Sequence, residues 1–255
     1  MKRYGLIGYP LTHSFSGNYF TDKFLQEKIS DCRYDLFPIK DINNLQELIS
    51  KHPDLLGLNV TIPFKTAVIP LLNELDLTAK ETEAVNTICI DRNQGKLSLK
   101  GHNTDVVGFI HSLLPLLKKH HAPALILGTG GGSKAVAYAL TKMGIPFRVV
   151  SRQPEQQEKI RCIGYTEITK EILENHHLII NTTPLGMFPE TNACPDIPYK
   201  YLTSDHLLYD LIYNPEETMF LRNGKLQETQ IKNGLDMLHI QADKSWEIWN
   251  SDFQA

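Results

Sequence analysis

The chain has 255 residues, 42% hydrophobic and 22% charged, the balance of an ordinary globular protein with room for one large domain or two modest ones. Net charge is −3 and the positive residues form no long run, which argues against a nucleic-acid backbone as partner. No apolar run approaches the ~20 residues needed to cross a bilayer, and no signal pattern opens the chain, so a cytoplasmic protein without a membrane partner is expected.

Residues 3–9 read as a strand and 16–28 as a helix with Phe20 and Phe24 on one face. A strand over 34–39 and a helix over 42–51 follow. In the run 55–62, Leu58, Val60 and Ile62 alternate, predicting a strand that stops at Pro63, just before Lys65. This strand–helix alternation predicts an α/β sheet with mainly parallel pairing. Residues 87–91 and 96–100, joined through Asn93-Gln94-Gly95, read as a hairpin added to it. A helix begins at Asp105 and runs to about residue 119, after which Pro123 opens a second α/β series. Its strands are 124–127, 147–151, 177–182 and 207–211, with a helix over 133–143 closed by Gly144. A last helix, 236–249, can return to the first unit.

The cysteines Cys32, Cys89, Cys162 and Cys194 are scattered, as free thiols in a reducing compartment would be. The pairs His120-His121 and His176-His177 have no partner one helical turn away, so no metal is expected.

The stretch LILGTGGGSKAVAYAL, from Leu125, is a strand, a glycine-rich turn and a helix in order. Gly128, Gly130 and Gly131 allow a tight turn and close approach of a pyrophosphate to the free N–H groups of the helix start. Ser133 stands where the usual fingerprint has a third glycine. At the end of the next strand an NAD-binding unit places an acid for the ribose 2′-hydroxyl; here the chain reads Ser151-Arg152. An arginine pairs with a 2′-phosphate, so the expected cofactor is NADP, a solvated surface arginine being the plainer alternative.

Four further segments carry polar residues at element ends. In THSFSGNYF, Ser14 and Ser16 flank a helix start and suit a small carboxylate, though Ser16 also reads as a simple N-cap. NVTIPFK supplies Thr61 and Lys65, AVNT supplies Asn86, and GHNTD ends in Asp105, a first-turn acid.

Together with NTTPLGM, YDLIYNP and GLDMLHIQA, these segments resemble the shikimate dehydrogenase family almost end to end. The resemblance implies an N-terminal α/β substrate domain over 1–105, to which helix 236–255 returns, and a C-terminal Rossmann NADP-binding domain over 106–235. The active-site crevice would lie between them. It implies reversible NADPH-dependent reduction of 3-dehydroshikimate to shikimate by a monomer or homodimer. Lys65 and Asp105 would be the catalytic pair, with Ser14, Ser16 and Tyr213 on the substrate carboxylate. Thr61, Asn86 and Gln241 would hold the ring hydroxyls. Gly128, Thr129, Gly130, Gly131, Gly132, Ser151, Arg152, Thr183, Leu211 and Gly234 would contact the cofactor. Hydride addition to a ketone leaves negative charge on oxygen, which a lysine ammonium can meet. The sequence leaves two roles for Lys65: acid–base, or binder and polariser of the substrate.

The chain departs from the family pattern at several positions. Gly17 replaces a common proline, Phe20 a common histidine and Glu83 a glycine, so a changed turn is expected at Glu83. The cofactor edge, Ser151-Arg152-Gln153-Pro154-Glu155-Gln156, lacks a second arginine. A trimmed last helix is also expected. An NAD-linked quinate/shikimate dehydrogenase and a non-catalytic nucleotide sensor are the competing readings.

Overall fold

A computed structural model of the chain describes residues 1–11, 15–92, 96–154 and 162–251. It divides into two compact units, Met1–Asp105 with Gln241–Ala255, and Val106–Ile240. Each contains its own sheet.

In the first unit β1 (Lys2–Gly8), α1 (Phe15–Gln26), β2 (Cys32–Pro38), α2 (Leu45–Lys51) and β3 (Leu55–Val60) alternate strand and helix. After them come α3 (Phe64–Ala67), β4 (Glu74–Leu75), α4 (Leu77–Thr82), β5 (Thr87–Asp91) and β6 (Ser98–His102). The sheet order is β2-β1-β3-β5-β6-β4, with β1 parallel to β2 and β3, and β5 antiparallel to β3 and β6. Alternate residues feed two cores, because successive strand side chains point to opposite faces. Ile7, Leu58, Val60, Ile88 and Ile90 enter one cluster; Tyr4 and Cys89 enter another with Phe20, Phe24 and Trp249.

The second unit begins along α5 (Asp105–Leu113) and continues through β7 (Ala124–Leu127), α6 (Gly131–Lys142), β8 (Phe147–Ser151) and β9 (Cys162–Gly164). Then come α7 (Lys170–Glu174), β10 (Leu178–Asn181), β11 (Leu207–Asp210), α8 (Met219–Lys225), β12 (Gln230–Lys232) and α9 (Leu235–Ser251). Its sheet runs β12-β11-β10-β7-β8-β9, all parallel. Counted from β7, that is the doubly wound order of dinucleotide-binding folds, with its switch point between β7 and β10. Both faces are buried. Ala124 and Ile126 pack on one side, Leu125 and Leu127 on the other.

The expected elements appear with shifted ends, each for a local reason. The helix over 42–51 splits into a 3-10 turn, Ile42–Asn44, and α2, with the Asp41 carboxylate accepting from Asn43 N. The helix from Asp105 stops at Leu113, where Leu114–Leu116 tightens into a 3-10 turn around Pro115, which lacks the N–H a helix needs. The strand through 62 ends at Val60, so Lys65 belongs to the short helix α3 rather than to a strand end. Gly144 does close α6: at φ 69° it donates to Thr141 O while Ile145 N donates to Leu140 O, a Schellman cap. Glu83 closes α4 in the left-handed region at φ 48°, a conformation that the glycine of the resemblance adopts without a Cβ penalty. The turn Asn93-Gln94-Gly95 lies outside the described residues, as do Glu155 and Gln156 of the cofactor edge. The strands β4, β9 and β12 and the helices α3, α4, α7 and α8 have no counterpart in the sequence reading.

Candidate active site

The end of β3 and the helix after it carry the first functional group. Phe64 is buried in the core and Val85 N donates to Lys65 O at 2.7 Å, which fixes the Lys65 backbone against the entrance of β5. The Lys65 ammonium reaches across to Asp105, Nζ to Oδ2 2.7 Å, with the lysine side chain 22% and the aspartate 7% exposed. Asp105 sits in the first turn of α5, where the helix dipole favours negative charge.

Asn86 completes the pair. Its orientation is settled by the backbone, because Thr104 N can only donate and does so to Asn86 Oδ1 at 2.7 Å. The Asn86 amide Nδ2 therefore faces Asp105 Oδ1 at 2.9 Å, Thr104 Oγ1 at 2.9 Å and Gln241 Oε1 at 3.2 Å. One carboxylate oxygen of Asp105 is held by an amide and the other by an ammonium. Gln241 is thereby set with its carbonyl toward Asn86. Thr61 lies just past β3, its N donating to Ile7 O at 2.9 Å and its methyl occupying the space a Cβ at Gly8 would need.

Ser16 is in the first turn of α1 and hydrogen-bonds Tyr34, whose hydroxyl donates to Asn59 Oδ1 at 2.8 Å. Ser14 lies outside the described residues. Lys65, Asp105, Asn86 and Gln241 are thus joined in one network, and Ser16 reaches it through Tyr34 and Asn59. Sequence reasoning missed the residues that fill the interior of this network, Tyr34, Asn59, Thr87, Thr104 and Ser245. Asn59, Thr87 and Thr104 lie inside the quoted segments NVTIPFK, AVNT and GHNTD without having been singled out, and Ser245 follows Gln241 by one helical turn. Phe20, the departure from the family histidine, is a core aromatic stacked on Tyr34 at 4.4 Å.

The second unit presents a cradle defined by missing side chains. Gly128 sits at φ 110°, and a Cβ there would meet Thr182 and Thr183. A Cβ at Gly132 would touch Leu211, and one at Gly234 would overlap the Leu211 carbonyl. Gly128, Gly132, Thr183, Leu211 and Gly234 are therefore gathered at the C-terminal ends of β7, β10 and β11, where open parallel sheets bind ligands. Gly130 has open space where a Cβ would be and is the N-cap of α6 with no side-chain cap; Thr129 precedes it and Gly131 opens the helix. These uncapped N–H groups fit a pyrophosphate. Ser151 ends β8 buried, its Oγ accepting from Gln153 N at 3.0 Å, and so caps the turn that exposes Arg152. The residues present fit a dinucleotide with a 2′-phosphate. Tyr213 is in the loop after β11.

Behind the cradle a buried carboxylate ties the strand ends together. Asp210 accepts from Asn181 Nδ2, Ile212 N and Thr218 Oγ1 at 3.0, 3.0 and 2.6 Å, and burial pushes its pKa up to about 7 against those bonds. Asn181 in turn accepts from Thr183 N and Oγ1. Among the described residues no group of three or more His, Cys, Asp and Glu could hold a metal ion, and no helix is long and apolar enough to cross a membrane.

A family model described as the shikimate dehydrogenase substrate binding domain matches residues 6–88. A shikimate dehydrogenase (NADP(+)) of Carboxydothermus hydrogenoformans is 36% identical, over 97% of this chain and 91% of the relative. The chain belongs to the shikimate dehydrogenase family. Among solved members, the shikimate dehydrogenase 1 of Peptoclostridium difficile superposes with a TM-score of 0.84 at 36% identity, covering 98% of this chain and 92% of that one. The Thermus thermophilus member, solved in complex with NADP(H) and shikimate, gives 0.84 at 27% identity over 98% and 93%. The span that matches the family model includes Lys65 and Asn86 and stops short of Asp105, which the full-length relatives cover.

Proposed function

We propose that the chain is an NADP-dependent shikimate dehydrogenase, an oxidoreductase that interconverts 3-dehydroshikimate and shikimate on the route to chorismate and the aromatic amino acids. The observation that supports this most is the intact Lys65–Asp105–Asn86–Gln241 constellation in a member of that family. NADP, when bound, supplies or takes up the hydride. Everything else is work for the protein's own residues.

Reduction turns a ketone oxygen into a developing alkoxide, and the Lys65 ammonium donates to it. Asp105 holds that ammonium in place and balances its charge; Asn86 keeps the carboxylate from rotating away. In oxidation the same pair accepts the hydroxyl proton. Thr61, Asn86 and Gln241 orient the ring through its hydroxyls, and Ser14, Ser16 and Tyr213 take the carboxylate. In the second unit the uncapped start of α6 holds the pyrophosphate and Arg152 the 2′-phosphate.

The test is the absorbance of reduced nicotinamide with purified protein and shikimate, NADP⁺ and NAD⁺ in parallel, quinate as control. Rapid reduction with shikimate and NADP⁺ is expected. Lys65→Ala should lower turnover by about 10²–10³, the effect of deleting one positioned donor to a developing oxyanion. A Lys65→Ala protein as fast as wild type would overturn the mechanism; preference for quinate or NAD⁺ would move the assignment to the NAD-linked relative.

A further inference from the structure

We propose that Tyr34 and Ser245 are positioning residues at the two ends of one buried hydrogen-bond path, which sets Ser16 and Asn86 for the substrate. This rests on the assignment of the ring acid as substrate. The path runs from Ser16 through Tyr34 and Asn59 to Ser245 and Thr87, then through Thr104 to Asn86 and Asp105. It crosses β2, β3, β5, the loop before α5, and α9. Asn59, Thr87, Thr104 and Ser245 are each 5% exposed or less.

Backbone groups fix its polarity. Asn59 Nδ2 lies 3.3 Å from the carbonyl of Asn86, an acceptor only, so Asn59 Oδ1 is the end that takes the Tyr34 proton. With that proton committed, Tyr34 can meet the Ser16 hydroxyl only as an acceptor. At the other end Ser245 Oγ is a junction. It accepts from Asn59 Nδ2 at 3.0 Å, lies 2.7 Å from Thr87 Oγ1 and 3.3 Å from Thr104 Oγ1, and donates to Gln241 O at 2.9 Å. Of the hydroxyls that Ser245 meets, Thr104 Oγ1 and Thr87 Oγ1 both also contact the Asn86 amide.

Adhesion of α9 does not require these hydroxyls. Farther along the helix, Trp249 stacks on Tyr4 at 4.8 Å, fills the space left by Gly57 and donates to Ile88 O at 3.0 Å. Apolar side chains would serve packing equally well along the path, whereas a satisfied polar network specifies rotamers. The two ends should therefore give different kinetic signatures.

Tyr34→Phe keeps the ring on Phe20 and removes one hydroxyl. It should raise KM for shikimate about fivefold to tenfold, the scale of one buried hydrogen bond, and leave kcat within about twofold. Ser245→Ala should lower kcat about tenfold with a smaller change in KM, because Asn86 no longer steadies Asp105. Thr87→Val, which removes the same 2.7 Å bond isosterically, should repeat the Ser245 phenotype if Ser245→Ala does not fold. Steady-state kinetics, calorimetric binding of shikimate and thermal unfolding are measured for each protein. Lowered melting with both constants unchanged, or with KM and kcat moving alike in all variants, assigns the path to stability alone and overturns the proposal. An active wild type with unaffected variants does the same. A wild type that neither binds nor oxidises shikimate removes the substrate assignment, and the proposal with it.

Discussion

The two units prepare their sites by opposite means. The first fills its site with polar side chains whose orientations are forced by neighbours, down to an amide set by a single backbone N–H. The second prepares its site by leaving side chains out, so that backbone N–H groups and strand ends are reachable. Damage should therefore come from deletion in one unit and from addition in the other.

The largest expected effect is an addition. Gly234→Ala places a methyl into the carbonyl of Leu211, a backbone atom that cannot swing aside. Overpacking of this kind costs roughly 1–3 kcal/mol or more, so melting should drop by several degrees and cofactor affinity should fall with it. Gly130→Ala is the sharpening control. Its φ of −76° suits any residue and nothing stands within 4 Å of the new methyl, so melting should be unchanged while NADP⁺ binding weakens. Equal losses of stability at Gly130 and Gly234 would erase the distinction between a cradle and a packing contact.

The same contrast explains what was legible in the sequence. Glycine spacing announces the cradle, because an absent side chain is itself a letter in the sequence. The proposed catalytic pair could be singled out too, since Lys65 follows closely on a proline and Asp105 stands at a helix start; the two are joined by an ion pair. The interior of the first site was not. Tyr34 and Ser245 are far apart in the chain and read as an ordinary strand tyrosine and helix serine; only the sheet order and the return of α9 bring them together. Short elements such as β4 and α7 were missed for a related reason: at 2 and 5 residues they are too short for periodicity, and tertiary packing decides them. The position of Lys65 in α3 rather than at a strand end reflects Pro63, which ends pairing and seeds the short helix.

A smaller effect separates the units by pH. His120, His121, His177 and His206 meet edge to face in the second unit, at 4.6, 5.9 and 4.9 Å between ring centroids. His121 Nδ1 accepts from Lys118 N, and His206 Nδ1 accepts from Thr203 N while Nε2 donates to Leu173 O, so the neutral rings satisfy their partners. Burial, then the neighbouring positive groups, pushes His121 down to about 4; burial also lowers His176 and His206. Below about 6.5 the unfolded chain takes up protons that the folded histidines refuse, so their contribution to stability falls as pH drops from about 6.5 toward 4. Asp210, pushed up to about 7, works in the opposite sense over the same range, so the readout is the difference between wild type and His121→Asn, whose Oδ1 can replace Nδ1. Melting followed from pH 7.5 to 4.5 should show the variant losing less stability on acidification than wild type; equal losses in both would remove His121 from the account.

The smallest expected effect lies where the cradle would use a side-chain charge. Arg152 is exposed on a turn capped by Ser151, close enough to Tyr165 to act on its hydroxyl. An exposed guanidinium contributes little to folding, so Arg152→Ala should leave melting unchanged. In the proposed role, charge-assisted bonds from Arg152 to a 2′-phosphate would be worth about tenfold in KM for NADP⁺, whereas NAD⁺, which lacks that phosphate, should be used as before. Arg152→Lys should recover only part of the loss, because a point charge does not reproduce the planar fork of donors. If KM rises equally for both cofactors, Arg152 holds the turn rather than the phosphate, and discrimination rests on backbone shape alone. The addition rule would then govern the whole of the second unit, with no side-chain charge involved.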